Sequence, residues 1–221
     1  MFRAYCKLHL VGHCLLIFIF VSIAVAAKQN LSELPPIKND YYPIQSSRAG
    51  ELGDWGQAKY CNENSYIFAA KIMVEASTGG GKYDDDTSLN QITFVCKNPK
   101  KNSMNSFKVG LGNFGKYDSG RWKDAKCQDG YYAYGFRLGM EGNAEDYVAA
   151  TSIRLLCREF SSWNDPRSTS DAIGEFHNEW LGSRTCMYDH LLAGAVARSQ
   201  DEQGDGDDSA LNDIVMICRV E

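Results

Sequence analysis

The groups that could perform acid–base chemistry downstream of residue 27 are two histidines and a scatter of carboxylates. His177 and His190 do not stand at a metal-binding spacing, and no G-x-S-x-G turn supplies an activated nucleophile. Glycoside hydrolysis requires only two carboxyl groups about 5 to 10 Å apart, and Glu75, Glu141 and Asp201 are the acids that could line equivalent loops. Nothing in the sequence brings these acids together. We therefore predict a non-catalytic protein and keep a glycan-modifying enzyme as the least favoured alternative.

Two acidic segments, residues 84–86 and 201–208, have the oxygen-rich composition that calcium prefers. Neither matches the D-x-[DN]-x-[DN]-G-x5-E loop of an EF-hand. We predict that both segments are solvated loops, and that the protein binds no metal ion and no cofactor.

The cysteines have the count of an exported protein and lack the spacing of a zinc or redox site. Six of the eight cysteines follow residue 27, and none of the six forms a C-x-x-C pair. An even number of cysteines in an exported chain indicates disulfides. The six are Cys61, Cys96, Cys127, Cys157, Cys186 and Cys218.

The first 27 residues have the layout of a secretory signal peptide. Arg3 and Lys7 give a positive start, an apolar run extends from Cys14 to Val25, and small residues occupy positions 24–27. The apolar run is too short to cross about 30 Å of hydrocarbon. We predict cleavage after residue 27, a secreted extracellular protein, and no membrane contact once the segment is removed.

The charge of the mature chain excludes one class of partner. Loss of Arg3 and Lys7 leaves 21 basic residues against 28 acidic residues, a net charge of −7. Binding of nucleic acid requires clustered positive charge, so nucleic acid is not expected as a partner. The three lysines within residues 97–101 are interpreted as a solvated loop.

The cysteines also reveal an internal repeat. Cys96, Cys157 and Cys218 are spaced 61 and 61 residues apart, and the other three cysteines 66 and 59 apart. A tryptophan precedes each of those other cysteines by five or six residues. These registers indicate three diverged copies of one unit. The tryptophans are Trp55, Trp122 and Trp180, which we interpret as core residues rather than sugar-stacking platforms.

The first and third copies share a D-D-[ST]-x-L-N-x-I block that runs into the last strand of the copy. Asp, Asn, Thr and Ser hydrogen-bond nearby backbone amides, so we favour a structural turn over a ligand site. The second copy keeps only part of the block, at residues 146–152. The polar positions of the block are Asp85, Asp86, Thr87, Asn90, Asp207, Asp208, Ser209 and Asn212.

Period-2 alternation predicts that each copy ends in a β-strand, and no long stretch has a helical period. A second strand is expected at residues 66–74, at 132–140 and at 191–198. The fold class is therefore all-β. Six cysteines allow 15 connectivities, and equivalent positions should bond equivalently. The repeat thus favours one bridge per copy: Cys61 with Cys96, Cys127 with Cys157, and Cys186 with Cys218.

The segment before the first copy, residues 28–49, is predicted to be an extended N-terminal arm. Pro35, Pro36 and Pro43 stand there among polar residues. Asn30 begins the only N-x-[ST] sequon of the chain and is the predicted glycosylation site.

Taken together, the three copies resemble the vitelline membrane outer layer protein 1 family over residues 50–221. The resemblance rests on the Trp, the two cysteines and the D-D-[ST]-x-L-N block. It implies a β-prism of three four-stranded Greek-key sheets with one sheet per copy. The result would be a single domain at 50–221, with repeats at about 50–96, 106–157 and 170–218.

The same resemblance implies a secreted, non-catalytic structural component of an extracellular coat or matrix. The alternative is a carbohydrate-binding, lectin-like module. Extracellular glycans or other coat proteins are the partners that these two functions imply. Tyr131, Tyr132 and Tyr134 are the candidate glycan contacts, because tyrosine rings can offer exposed stacking faces.

Overall fold

The structure, a computed structural model, describes residues 34–46, 52–74, 89–110, 121–141, 150–162, 167–174, 178–200 and 211–221. These residues contain fourteen β-strands and no helix, and therefore none that is long and apolar enough to cross a membrane. The strands are β1 (Tyr41–Gln45), β2 (Asp54–Trp55), β3 (Lys59–Tyr60), β4 (Tyr66–Val74), β5 (Leu89–Lys97), β6 (Met104–Gly110), β7 (Arg121–Lys126), β8 (Tyr131–Glu141), β9 (Ala150–Glu159), β10 (Ser168–Ala172), β11 (Asn178–Trp180), β12 (Arg184–Thr185), β13 (His190–Ser199) and β14 (Leu211–Val220).

The strands form three antiparallel sheets. Sheet A has the order β1-β14-β13-β2, sheet B the order β6-β5-β4-β7, and sheet C the order β10-β9-β8-β11. The short strands β3 and β12 pair with β13 and β8 beyond the ends of β2 and β11. In sheets B and C the fourth strand returns beside the first, which is the Greek-key order. Sheet A has the same spatial arrangement, but its outer strands β1 and β2 come from the start of the chain. The all-β prediction and the three-sheet prediction are confirmed.

The assignment of one sheet to each copy is wrong. Each sheet combines the two long strands of one copy with the short strands of the next, so that sheet B contains β6 and β7 from the second copy. In sheet A the strands β1, β2 and β3 from the start of the chain pair with β13 and β14 from its end. The short strands of each copy therefore lie in the sheet of the copy before it.

This exchange gives the disulfides a role that the sequence did not show. The three bridges are Cys61–Cys96, Cys127–Cys157 and Cys186–Cys218, the pairs that the repeat favours, with Cα–Cα distances of 5.7, 5.7 and 5.8 Å. The first cysteine of each pair follows the short strands of one sheet, and the second lies in a long strand of the next. The bridges therefore join A to B, B to C and C to A in a closed ring.

The core is formed by the long strands of the three sheets, and the second long strand of each copy contributes equivalent positions. Ile92 and Phe94 in β5, and the residues at the same positions in β9 and β14, have no exposed surface. The leucine of the repeated block is also fully buried, as Leu89 and Leu211, and so is Ala150 at that position in the second copy. The residues of the period-2 pattern are therefore all fully buried, but the alternate positions are mostly buried too, and in β14 every residue except Val220 is buried.

The predicted arm needs a correction at its end. Tyr41–Gln45 forms β1, an edge strand that pairs in antiparallel register with β14. Pro43 is opposite Ile217, and an edge strand tolerates a proline because its second side has no ladder to complete. The domain therefore begins before residue 50, at β1. Asn30 lies outside the described residues.

Removing one bridge should cost the same stability wherever the ring is opened. The Cys186→Ala/Cys218→Ala double variant releases a loop of 32 residues, and we expect a loss of roughly 3 to 4 kcal/mol in the free energy of unfolding. Urea unfolding without reductant measures this loss, and the Cys127→Ala/Cys157→Ala variant is the matched comparison. A loss below about 1 kcal/mol in either variant would contradict the inter-sheet role.

Candidate functional site

Each sheet carries a β-bulge at the seventh residue after the first cysteine of a copy. The register shifts between Ile67 and Ala69, between Ala133 and Gly135, and between Leu192 and Gly194. A bulge turns its extra side chain away from the regular alternation of the strand. The bulged residues are Phe68, Tyr134 and Ala193.

The bulge in sheet C allows a neighbouring strand to come unusually close. A Cβ atom on Gly135 would lie 2.4 Å from the carbonyl oxygen of Arg184 and 2.9 Å from the methyl group of Thr185. No side chain fits in that space, so the glycine permits β12 to pair with β8. Thr185 and Cys186 are thereby placed beside Tyr134.

A pocket with a cavity volume of about 500 Å³ opens at this point, between the start of sheet C and the turn that enters sheet A. Its size falls within the range of small-molecule sites. We name it the Tyr134 pocket. It is lined by Tyr134, Arg158, Arg167, Thr185, Cys186, Met187 and Tyr188.

Arg167 provides the available positive charge of the pocket. Its guanidinium carbon lies 5.0 Å from the centre of the Tyr134 ring, and its side chain is exposed. Within the part of the chain that the structure describes, no carboxylate forms an ion pair with it. The stacked ring orients the planar guanidinium without neutralising it.

Arg158, the other arginine of the pocket, is buried and fully engaged. Its guanidinium donates to the carbonyl oxygen of Tyr188, in the turn before β13, at 3.2 Å and to that of His190, the first residue of β13 in sheet A, at 3.3 Å. It also donates to the carbonyl oxygens of Glu159 and Ser162 and forms a buried ion pair with Glu221. Arg158 therefore fixes the wall of the pocket and ties sheet C to sheet A.

The rim of the pocket is apolar and exposed. The side chain of Tyr188 is 81% exposed and that of Met187 is 62% exposed. The backbone N–H of Met187 donates to the hydroxyl of Tyr42, whose ring packs edge-on against His190. Strand β1 therefore supports the turn that carries the exposed ring.

The other sheets do not reproduce the pocket. In sheet B the bulged Phe68 is covered by the ammonium groups of Lys97 and Lys126, at 5.0 and 5.2 Å from the ring centre. Ala193 in sheet A has no ring to offer. Among the three bulges, only that of sheet C places a tyrosine and a free arginine together.

Comparison with known proteins identifies the family. The family model described as "Vitelline membrane outer layer protein I (VOMI)" matches residues 42–220. The chain belongs to this family. The start of the match agrees with β1 as the first strand of the domain.

Two relatives of the family carry the name "Vitelline membrane outer layer protein 1 homolog". The human protein is 26% identical over 183 residues, which cover 79% of this chain and 81% of the relative. The mouse protein is 25% identical over 179 residues, which cover 79% and 82%. Among solved structures, the agglutinin of Calystegia sepium has a TM-score of 0.52 at 14% identity and covers 84% of this chain and 100% of its own. That likeness concerns the fold alone and supports the β-prism.

The tyrosines that the sequence singled out do not form an exposed platform in this VOMI-family chain. Tyr132 is 2% exposed and packs edge-on against Tyr66 and Phe160, and this burial raises the pKa of its hydroxyl. Tyr131 is partly buried, and Tyr134 is 8% exposed. The prediction of exposed faces is therefore wrong, and only Tyr134 lines the pocket.

The repeated block is only partly described. Asn90 and Asn212 are each 1% exposed and lie within β5 and β14, so they are strand residues and not turn residues. Thr151 is fully buried at the same position of the second copy. One buried polar residue per copy therefore follows the fully buried position at the start of the strand. Asp85, Asp86, Thr87, Asp207, Asp208 and Ser209 lie outside the described residues.

The tryptophans of this family member are not core residues. Trp122 is 51% exposed, and Trp55 and Trp180 are partly buried. Trp180 lies under the guanidinium of Arg154, 4.6 Å from the ring centre. The core is filled from the long strands, which leaves the tryptophans of the short edge strands on the outer surface.

Of the candidate catalytic groups, His190 alone has a side chain among the described residues. His190 pairs with Asp189 at an exposed turn. His177, Glu75 and Asp201 lie outside the described residues, as does the side chain of Glu141. No cluster of three metal-ligating side chains occurs in the described ranges. Lys97, assigned to a solvated loop, instead ends β5 and pairs with Asp129 at 3.7 Å.

Proposed function

We propose that the chain is a secreted, non-catalytic structural component of an extracellular coat or matrix. The observation that supports this function best is the closed ring of three inter-sheet disulfides. Membership of the VOMI family and the predicted signal peptide at residues 1–27 point in the same direction.

The ring suits a layer that must survive outside the cell. Proteolysis of a folded protein usually proceeds through local opening of its least stable segments. Here each short edge segment is joined by a disulfide to a buried strand of the neighbouring sheet. An edge strand that detaches remains tethered and re-forms quickly, which limits the time for which its backbone is open to a protease.

Expression of the full chain in a eukaryotic secretory system tests this function. We expect a product that begins at residue 28, resists trypsin under non-reducing conditions and is digested after reduction. Antibodies against it should label an extracellular layer of the source tissue that salt alone does not extract. A product that stays inside the cell, or is found only as a free solute in the surrounding fluid, would refute the coat role.

Carbohydrate binding is the second candidate function. The observation that favours it is the Tyr134 pocket, in which two tyrosines and a threonine lie beside Arg167, which forms no ion pair with any carboxylate of the described residues. A coat component can also hold a glycan, so the two functions are compatible.

A further inference from the structure

The Tyr134 pocket combines a fixed positive charge with hydrogen-bond donors. Arg167 is exposed and stacked on Tyr134 at 5.0 Å, and no carboxylate of the described residues pairs with it. Tyr134 and Thr185, whose side chains each carry a hydroxyl group, line the same space. A guanidinium is best satisfied by a planar carboxylate or by a sulfate that accepts two of its N–H groups.

The pocket wall is poor in free acceptors. The carbonyl oxygens of three lining residues already accept hydrogen bonds: that of Tyr134 from the N–H of Cys186, that of Met187 from the N–H of His190, and that of Tyr188 from Arg158. A peptide that binds as an added strand needs open backbone donors and acceptors on its host. The wall therefore suits a ligand recognised through side chains, and an anion rather than a cation.

The rim supplies a flat apolar face beside the charge. Tyr188 is 81% exposed, and Arg158 and Tyr42 hold its turn in place from two sides. A sugar ring has an apolar C–H face that packs against an aromatic ring, while its hydroxyl groups remain hydrogen-bonded. An exposed ring next to a guanidinium is thus suited to a sugar that carries an acidic group.

We propose that the Tyr134 pocket binds an acidic sugar unit, with Arg167 holding its carboxylate or sulfate and Tyr188 stacking on its ring. The proposal rests on carbohydrate binding as the second candidate function and names the site and the ligand class. Because the mature chain has a net charge of −7, the protein as a whole repels an anion. The attraction is local, and it should weaken when salt screens the Arg167 contact.

Calorimetric titration of the secreted protein with sialyllactose, sulfated lactose and lactose tests this assignment. We expect a dissociation constant below about 1 mM for at least one acidic sugar, and binding of lactose at least about tenfold weaker. Sialyllactose and sulfated lactose distinguish a carboxylate from a sulfate as the preferred group. Arg167→Ala should weaken acidic-sugar binding at least about tenfold, and Arg167→Lys less, since an ammonium group cannot form the two-pronged contact.

Arg184→Ala is the matched control. It removes the same charge from an exposed residue of β12 that does not line the pocket, and it should leave the affinity unchanged. Each variant should melt at the wild-type temperature, because Arg167 and Arg184 are both exposed. Equal losses of affinity in the two variants would mean that only the net charge of the protein matters, and would contradict the assignment of the site to the Tyr134 pocket.

Three further results would overturn the proposal. If lactose binds as tightly as sialyllactose and Arg167→Ala has no effect, carbohydrate binding stands but this pocket is not its acidic site. If an acetylated Glu-Gly-Glu peptide binds as tightly as the acidic sugars, the ligand is a peptide. If none of the sugars binds, the second candidate function fails together with the site.

Discussion

The Arg158→Ala variant should lose about 3 to 5 kcal/mol of unfolding free energy, the range measured when one partner of a buried ion pair is removed. The side chains of Arg158 and Glu221 are 6% and 10% exposed, so the carboxylate of Glu221 would remain largely buried without its partner, with the backbone N–H of Ser161 still donating to it. The carbonyl oxygens of Tyr188 and His190 would also lose a donor. Urea unfolding of the purified variant measures the loss.

Arg154→Ala provides the control on the same strand. Arg154 forms a two-pronged pair with Asp171, with both N–O distances at 2.6 Å, but the two side chains are 25% and 24% exposed. Water can replace part of that interaction, so we expect a loss of about 1 kcal/mol. Similar losses in the two variants would show that Arg158 is not a buried clamp between sheets.

Stability should fall as the pH rises from about 4 to about 7 because of one carboxyl group, Asp213. Its side chain lies in β14 and is almost fully buried, which raises its pKa to about 7. Hydrogen bonds from Gln45 and from the backbone N–H of Ile214, both at 2.6 Å, together with the charge of Arg198, offset part of that effect.

The direction follows from proton binding in the two states. An unfolded aspartate has a pKa of about 3.9, so between about pH 4 and pH 7 the folded state holds the proton and the unfolded state does not. Stability from this group is complete below the unfolded pKa and is lost as the pH rises through the folded pKa. At about 1.4 kcal/mol per unit, the loss amounts to about 4 kcal/mol.

Asp213→Asn isolates this contribution. Asparagine has the same shape and does not titrate, and the amide of Gln45 can rotate to present its oxygen to the new NH2 group. The difference in unfolding free energy between variant and wild type should therefore grow with pH, in favour of the variant, and level off above about pH 7. Parallel pH curves for the two proteins would refute the assignment to Asp213.

The long strands could be predicted from the sequence, whereas the sheet membership of the short ones could not. Apolar residues at every second position mark the inward faces of β5, β9 and β14, although the other face of β14 is buried as well. The cysteine spacing places the copies in register. The two-residue strands β2 and β3 have no period of their own. They join sheet A because β13 lies beside them in the folded chain. The sequence of β1, with Pro43 among polar residues, predicts a linker and not a strand.

Only part of the candidate site could be predicted from the sequence, for a similar reason. The sequence predicts Tyr134 to be an exposed ring. The residue is in fact buried at a bulge that forms only when β8 pairs with β9. Two signals in the sequence could have pointed to the site. One is the seventh residue after each first cysteine, which gives Phe68, Tyr134 and Ala193. The other is the basic residue directly after each second cysteine, which gives Lys97, Arg158 and Arg219.

The pairing of β1 with β14 determines the order in which the three sheets can form during synthesis. Among the described strands, Tyr41–Gln45 is the first to leave the ribosome, and its partner Leu211–Val220 is the last. Sheets B and C can assemble before β14 has been synthesised, whereas sheet A cannot. Until then β1, β2 and β3 have no partner strands, and unpaired strands are prone to associate with other chains. Closure of sheet A should therefore follow the synthesis of β14 and be the slow step of folding.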